Sequence, residues 1–441
     1  LHVISNNKLY IVNLFKINLH SMALTKDSKI NFLNIGLMLI TAVFAFFLPF
    51  ETFLLAYAFL GPLHYLTEIS WLHDRQYFTK GKYDFVPLLL IGVALSYAAF
   101  AKDFDFNIDF YKEFVALNLF DKLLVLALFS SLLFAFVKNL VVKIIAILFI
   151  FIFISGWLAP ENATENSKST TIFALTSLVP TLIHVYVFTG LFMLFGALKS
   201  RSKTGLLSVA AFLIIPIYLV YGLPVTPKKN YISDYGKEAY YADGDGFFYT
   251  NVSILDHFRL MNEPNLTNKQ YLDSIINKDS KTNQTPIAER QRITDSLSDK
   301  LNQAFIVPNP ESEYYMRPIP AKLAIPIESK DYYWNYVFFS GFGIMLMRFI
   351  AFAYMYHYLN WFSKTEVIRW HKVPKIRFIA VLLLWLTACA LYAYNYSLGL
   401  SFLFFLSFTH VLLEFPLNMV SIVGIGKETY QIATKGFKKI E

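Results

Sequence analysis

A single cysteine, Cys389, stands in the whole chain, and its scarcity closes off several chemistries. No disulfide can form within the chain, and cysteine-type zinc sites, iron–sulfur clusters and C-x-x-C-H haem attachment are excluded. Charge is scarce too: Asp, Glu, Lys and Arg make up 16% of 441 residues, against about 25% in soluble domains. The shortfall comes from long uncharged blocks, and the mean hydropathy is +0.46. The chain has no P-loop, no Rossmann fingerprint, no G-x-S-x-G and no strong internal repeat, so those routes to nucleotide binding and ester hydrolysis lack their sequence signature.

What fills the chain is apolar and aromatic: 56% hydrophobic residues, with Phe 44 and Tyr 28. A bilayer core needs roughly 20 apolar residues in a helix rising about 1.5 Å per residue. Ten segments meet that length: 31–49, 51–70, 84–101, 118–137, 139–158, 170–198, 205–223, 334–362, 378–396 and 399–422. The expected fold is therefore all-α, a polytopic transmembrane helix bundle of about ten spans with one long extracytoplasmic loop. It divides into a tail (1–30), spans one to seven (31–223), the loop (224–332), spans eight to ten (333–422) and a second tail (423–441). Sharp turns near Pro49–Glu51 and at Lys138–Asn139 join two pairs of spans as tight hairpins. Met22 offers a second translation start, which makes residues before it candidates for a gene-calling artefact.

Orientation follows from the lysines and arginines beside the spans. With both tails cytoplasmic, twenty of them fall in inner segments and three, Lys102, Lys112 and Lys168, in short outer ones. The outer loop 102–117 is instead acidic, with Asp103, Asp105, Asp109 and Glu113. The net charge of +8 is then a positive-inside bias with affinity for anionic lipid headgroups, and nucleic acid is not needed as a partner. The expected location is the cell membrane, or the inner membrane of a Gram-negative cell.

The loop 224–332 is polar and punctuated by proline. Ile293, Leu297, Leu301 and Phe305 recur every four residues, the spacing of an amphipathic helix. Asp243-Gly-Asp245-Gly reads as a turn, since the acidic residue that would close a calcium loop is missing. Asn-X-Ser/Thr triplets at Asn162, Asn251, Asn265 and Asn283 are chance occurrences unless the source is eukaryotic. The loop is expected to be partly ordered and to offer a surface for a protein partner.

Ionisable side chains inside a span cost a few kcal/mol each, so they face the bundle interior and mark function. The second span carries His64-x-x-x-Glu68 and the tenth His410-x-x-x-Glu414. Four residues along a helix is about 40° of rotation, so each couple presents both groups to one spot. The sixth span adds His184 and the eighth His357, with Asn360 on its next turn. All four spans run in the same direction under this topology, which sets the six groups at a compatible depth.

Imidazole with carboxylate suits iron, zinc or manganese. His64, Glu68, His184, His357, His410 and Glu414 are accordingly the candidate ligands of an intramembrane metal, iron or zinc, reached from the cytoplasmic side and acting on a lipid-soluble substrate. A haem held by His184 and His410 is a subset of this reading. The same groups can also act as interhelical hydrogen-bonding glue, at about 0.6–2 kcal/mol per contact. Arg348, nine positions before His357 and so about 180° around the helix, is either a structural ion-pair partner of Glu68 or Glu414 or a clamp for an anionic substrate head. His73 and His371 lie at the membrane edge, and His257 lies in the outer loop.

Histidines scattered over hydrophobic helices resemble the setting found in membrane carotenoid-cleaving dioxygenases of the Brp/Blh type and in fatty-acid desaturases and hydroxylases. None of the nine histidines forms the H-x-x-x-H or H-x-x-H-H boxes of desaturases, so the likeness extends to residue type and setting only. Three functions compete: a metal-dependent membrane oxidoreductase, a transporter or proton-coupled channel using the same polar groups, and a scaffold or assembly subunit docking a partner through 224–332. Gly61-Pro62 and Pro416, which interrupt spans beside the polar couples, suit the second.

Overall fold

A computed structural model of the chain describes residues 25–100, 108–158, 174–226, 231–240, 251, 254, 334, 337–364 and 368–437. These residues are all helical or in short connections. Among the described residues, eight helices are long and apolar enough to cross a membrane. In chain order the helices are α1 (Lys26–Phe47), α2 (Pro49–Leu55), α3 (Gly61–His73), α4 (Phe85–Phe100), α5 (Ile108–Ala116), α6 (Leu119–Phe136) and α7 (Leu140–Trp157). A π-helical stretch, Ala174–Phe188, then leads into α8 (Thr189–Ser200). The remainder are α9 (Lys203–Ile217), α10 (Asp234–Tyr240), α11 (Gly341–Ser363), α12 (Lys375–Tyr394) and α13 (Tyr396–Lys435).

Of the ten expected spans, the second is not one regular helix. It is α2, a π turn at Ala56–Leu60, and α3, in unbroken succession. The cause is Gly61-Pro62: proline has no N–H to give to the carbonyl one turn back, and its ring pushes that carbonyl aside. The ladder widens there, and the Gly61 N–H reaches Ala56 O, five residues back. The third expected span is the shorter α4. Connections at both expected hairpins are tight: α6 gives way to α7 across three residues, with the Asn139 side chain capping α7 at the Val142 N–H. Pro49 opens α2 directly after α1.

The outward faces are apolar. On α7, Leu140, Val141, Ile145, Phe149, Ile152 and Phe153 are all largely exposed. A contiguous apolar surface of this kind is a liability in water and ordinary against lipid tails. Inside, two apolar clusters fill the bundle. One gathers α1, α2, α9 and α11 around Phe50, Phe212, Phe338, Phe352 and Tyr356. The other gathers α4, α6 and α13 around Leu88, Leu95, Leu124, Leu412 and Phe415. The polar couples lie where α3, α11, α13 and the π-helical stretch meet between these clusters.

Two findings add to the sequence reading. The acidic segment 102–117 contains α5, whose Phe114 is buried in the second cluster; counting charges hid its apolar face. Beyond residue 422 the chain is not a loose tail, because α13 continues to Lys435 and Arg201 Nη1 meets Glu428 Oε2 at 2.7 Å. The Asn251 amide is buried and donates to Tyr240 Oη at 3.3 Å. The start of the long loop also returns to the bundle, where Glu51 Oε1 accepts from both Ser233 N and Ser233 Oγ at 2.7 Å. The rest of that loop, including the Ile293–Phe305 periodicity, His257 and the triplets at Asn265 and Asn283, lies outside the described residues, as does Asn162.

Peripheral α7 is tied to the bundle by a buried ion pair, Lys143 Nζ with Asp84 Oδ2, and Asp84 Oδ2 also accepts from the Gly81 N–H at 2.7 Å. Removing one partner of a buried pair strands the other charge, whereas removing both is close to neutral. Lys143→Met is expected to lower stability by about 3 kcal/mol, and Lys143→Met with Asp84→Asn to recover most of it, as read by thermal melting in detergent. A single variant as stable as the parent contradicts this role.

Candidate metal centre

The register between helices comes from pairs of contacts. His64 meets His357 and Thr67 meets Trp361, so α3 and α11 run the same way. Tyr57 meets Ser407 while His64 approaches His410, so α13 runs with them. Tyr186 packs on Phe349 while Thr189 meets His357, which adds the π-helical stretch and α8 to the same direction.

Four imidazoles close a ring where these helices meet. Ring centroids lie 4.7 Å apart for His64 and His357, 5.0 Å for His357 and His184, 5.2 Å for His184 and His410, and 5.5 Å for His410 and His64. Glu68 and Glu414 follow one turn further along α3 and α13. His64, Glu68, His184, His410 and Glu414 are each at most 3% exposed, and His357 is 7% exposed.

Within the ring, three residues bring one ligand atom each to a common place. Those of His64, Glu68 and His410 lie within 4.8 Å of one another. Metal–ligand bonds of about 2.0–2.2 Å allow donors of one ion to stand at most about 4.4 Å apart, so a few tenths of an ångström of closure suffice. His357 Nε2 stands 3.0 Å from His64 Nε2. His184 and Glu414 form a separate couple, Nδ1 to Oε2, at 3.3 Å.

The buried donors fit a cation better than they fit each other. Glu68 Oε2 comes within 3.0 Å of His64 Nε2, yet neither this couple nor His184 with Glu414 is aligned for a hydrogen bond. Both ring nitrogens of His184, with Nδ1 of His64, likewise lack a hydrogen-bond partner. Buried polar atoms are nearly always satisfied, and each exception needs a physical reason. Buried imidazoles and carboxylates brought this close together could hold a metal ion.

Side chains around the ring hold it in place. Thr189 Oγ1 is 2.7 Å from His357 Nδ1, which leaves the Nε2 of that ring facing the cluster; a fixed outer nitrogen is the usual support of a metal-binding histidine. Tyr65 stacks on His410 with centroids 4.4 Å apart, and its hydroxyl meets that of Tyr358 at 2.9 Å. Close approach of the helices depends on glycine: a Cβ on Gly92 would stand 2.7 Å from Thr409 Oγ1, beside His410.

A cavity of about 150 Å³ touches His184, His357 and His410. Tyr57, Tyr65, Tyr354, Tyr358, Phe404 and Phe408 make up much of its wall. Tyr57, Tyr354, Phe404, Pro180 and Thr181 precede the histidine of their own helix, so the cavity extends toward the N-terminal ends of the four parallel segments. Access was expected from the cytoplasmic, carboxylate end. The cavity lies on the side of the histidines away from the carboxylates.

No known protein family, curated protein or solved structure matches this chain. The site therefore stands on its own geometry. Sequence reasoning missed Thr189, which no spacing distinguishes from any helix threonine. It also missed the tyrosine wall, although Tyr354, Tyr356 and Tyr358 crowd around His357 in the sequence and put hydroxyls in mid-span. His73 sits apart, exposed, with its Nδ1 3.2 Å from Asp74 Oδ1.

Arg348 stands away from the cluster. It is 4% exposed, donates from Nη2 to Pro224 O at 3.0 Å, and lies 4.3 Å above the Phe46 ring. Among the described residues it makes no ion pair, so Glu68 and Glu414 are not its partners. Its contacts pin the chain leaving α9 against α1 and α11. Arg348→Met is expected to cost about 1–3 kcal/mol, seen as a lower melting temperature in detergent. Unchanged stability with lost binding of an anionic ligand would instead make Arg348 a substrate clamp.

Proposed function

We propose that this chain is a multi-pass membrane oxidoreductase that holds a metal ion, iron in first place, among His64, Glu68 and His410 and acts on a lipid-soluble substrate. The observation that carries this reading is the convergence of two imidazoles and a carboxylate, all buried, on one point of an apolar bundle. That donor set is the one used by non-haem iron(II) oxygenases, and also by zinc sites that hydrolyse. Helices that expose apolar faces to lipid, together with an aromatic cavity, favour a hydrophobic substrate and hence redox chemistry over hydrolysis.

Iron bound here would supply a one-electron couple and Lewis acidity. The protein's own contributions are separate. Thr189 holds His357, Tyr65 holds the plane of His410, and the tyrosine and phenylalanine wall excludes water. A space of about 150 Å³ accepts a benzene-sized group, so one segment of a longer substrate would enter while the remainder stays in the lipid. With both termini cytoplasmic, as the Lys and Arg distribution favours, that segment arrives from the extracytoplasmic half of the membrane.

A second reading, an ion- or proton-coupled transporter, has one observation in its favour. Below Glu414 on α13, both amide atoms of Asn418 and the Ser421 hydroxyl are buried without partners, and the Asn360 carbonyl is likewise orphaned on α11. With Pro62, Pro180 and Pro416 inside the helices that carry the cluster, this resembles the polar core of a transporter.

Elemental analysis separates the two. Purified protein is expected to carry iron at one or more equivalents per chain, and His64→Ala or His410→Ala to lose it while helical circular dichroism is kept. Folded, metal-free protein whose reconstituted flux depends on Glu68 overturns the first reading and supports the second.

A further inference from the structure

We infer that the centre is built for two metal ions, the second held by His184 and Glu414. This rests on the reading that His64, Glu68 and His410 bind a metal, and goes beyond it by assigning the donors which that ion leaves over.

Reach is the first argument. Among the described residues, His64, Glu68 and His410 form the one group of three or more such donors whose ligand atoms lie within 4.8 Å. An ion bonded to these three at about 2.0–2.2 Å has no fourth donor of His184 or Glu414 inside that distance. Yet His184 and Glu414 are built like ligands. Both are buried, at 2% and 1% exposure. They come from different elements, the π-helical stretch and α13, and meet at 3.3 Å. Neither nitrogen of His184 and not Oε2 of Glu414 makes a hydrogen bond.

The second argument is the sharing of rings. His410 stands beside both couples, its ring 5.5 Å from that of His64 and 5.2 Å from that of His184. His357 sits between the couples, its Nε2 3.0 Å from His64 Nε2 and its ring 5.0 Å from that of His184. Each couple thus has a shared imidazole beside it. A carboxylate pair in a dry interior is stabilised by cations between and beside it.

The test is an anaerobic titration of the purified full chain in detergent with Fe²⁺ alone, followed by desalting and elemental analysis. Two irons per chain are expected for the parent, falling to one in Glu414→Gln and in His184→Gln. X-ray absorption of the parent, which needs no variant to fold, is expected to show a metal–metal distance of about 3.5–4 Å. One iron in the parent with no metal scatterer, or two irons retained in both variants, overturns the second site while leaving the first intact. No iron at all overturns both.

Discussion

Two carboxylates and four imidazoles are buried together inside a largely apolar bundle, and that constraint organises the molecule. A carboxylate taken out of water must be matched by a countercharge or by hydrogen-bond donors, or it does not stay ionised. Glu68 and Glu414, at 3% and 1% exposure, find imidazoles near them but no aligned donor at the oxygens that face the cluster. A cation satisfies both needs at once. The surrounding architecture then follows as support for a charged core: parallel helices to bring the couples level, a π turn and a π-helical stretch that re-aim His64 and His184, and aromatic walls to keep water out.

The ends of the cluster differ in character, and this gives the site a direction. Toward the N-terminal ends of the parallel segments lies a cavity walled by tyrosine and phenylalanine. Toward their C-terminal ends come the carboxylates and then Asn360 Oδ1, the Asn418 amide and the Ser421 hydroxyl, buried without hydrogen-bond partners. An apolar ligand and a path for protons or water would therefore approach from opposite sides. Catalysis at a buried centre and coupled transport both use such a polarity, which is why the two readings share residues and part company over metal content.

Much of the bundle was legible in the sequence because its rule is simple: spans must be long and apolar, and eight helices meet that test outright. The four-residue spacing of His64 with Glu68 and of His410 with Glu414 was equally legible, since helical geometry places such couples on one face whatever surrounds them. The two departures among the spans have local causes. Gly61-Pro62 widened the second span into a π turn, and the outer segment around Phe114 hid a helix behind its acidic residues. Arg348 was misjudged because distance along a helix says which face a residue takes but not what the neighbouring chain offers there. Its partner, the Pro224 carbonyl, belongs to a connection that no periodicity describes. The position of the cavity was also beyond reach: it depends on which side chains of four separate helices are bulky at the same level.

The central claim is that His64, Glu68 and His410 hold a metal. Diffraction from crystals of the purified chain, recorded above and below the iron absorption edge, tests it at the atoms concerned. The account predicts an anomalous peak within about 2.0–2.2 Å of an imidazole nitrogen of His64, one of His410 and a carboxylate oxygen of Glu68. Ordered side chains joined directly to one another by hydrogen bonds, with no anomalous peak between them, would contradict it.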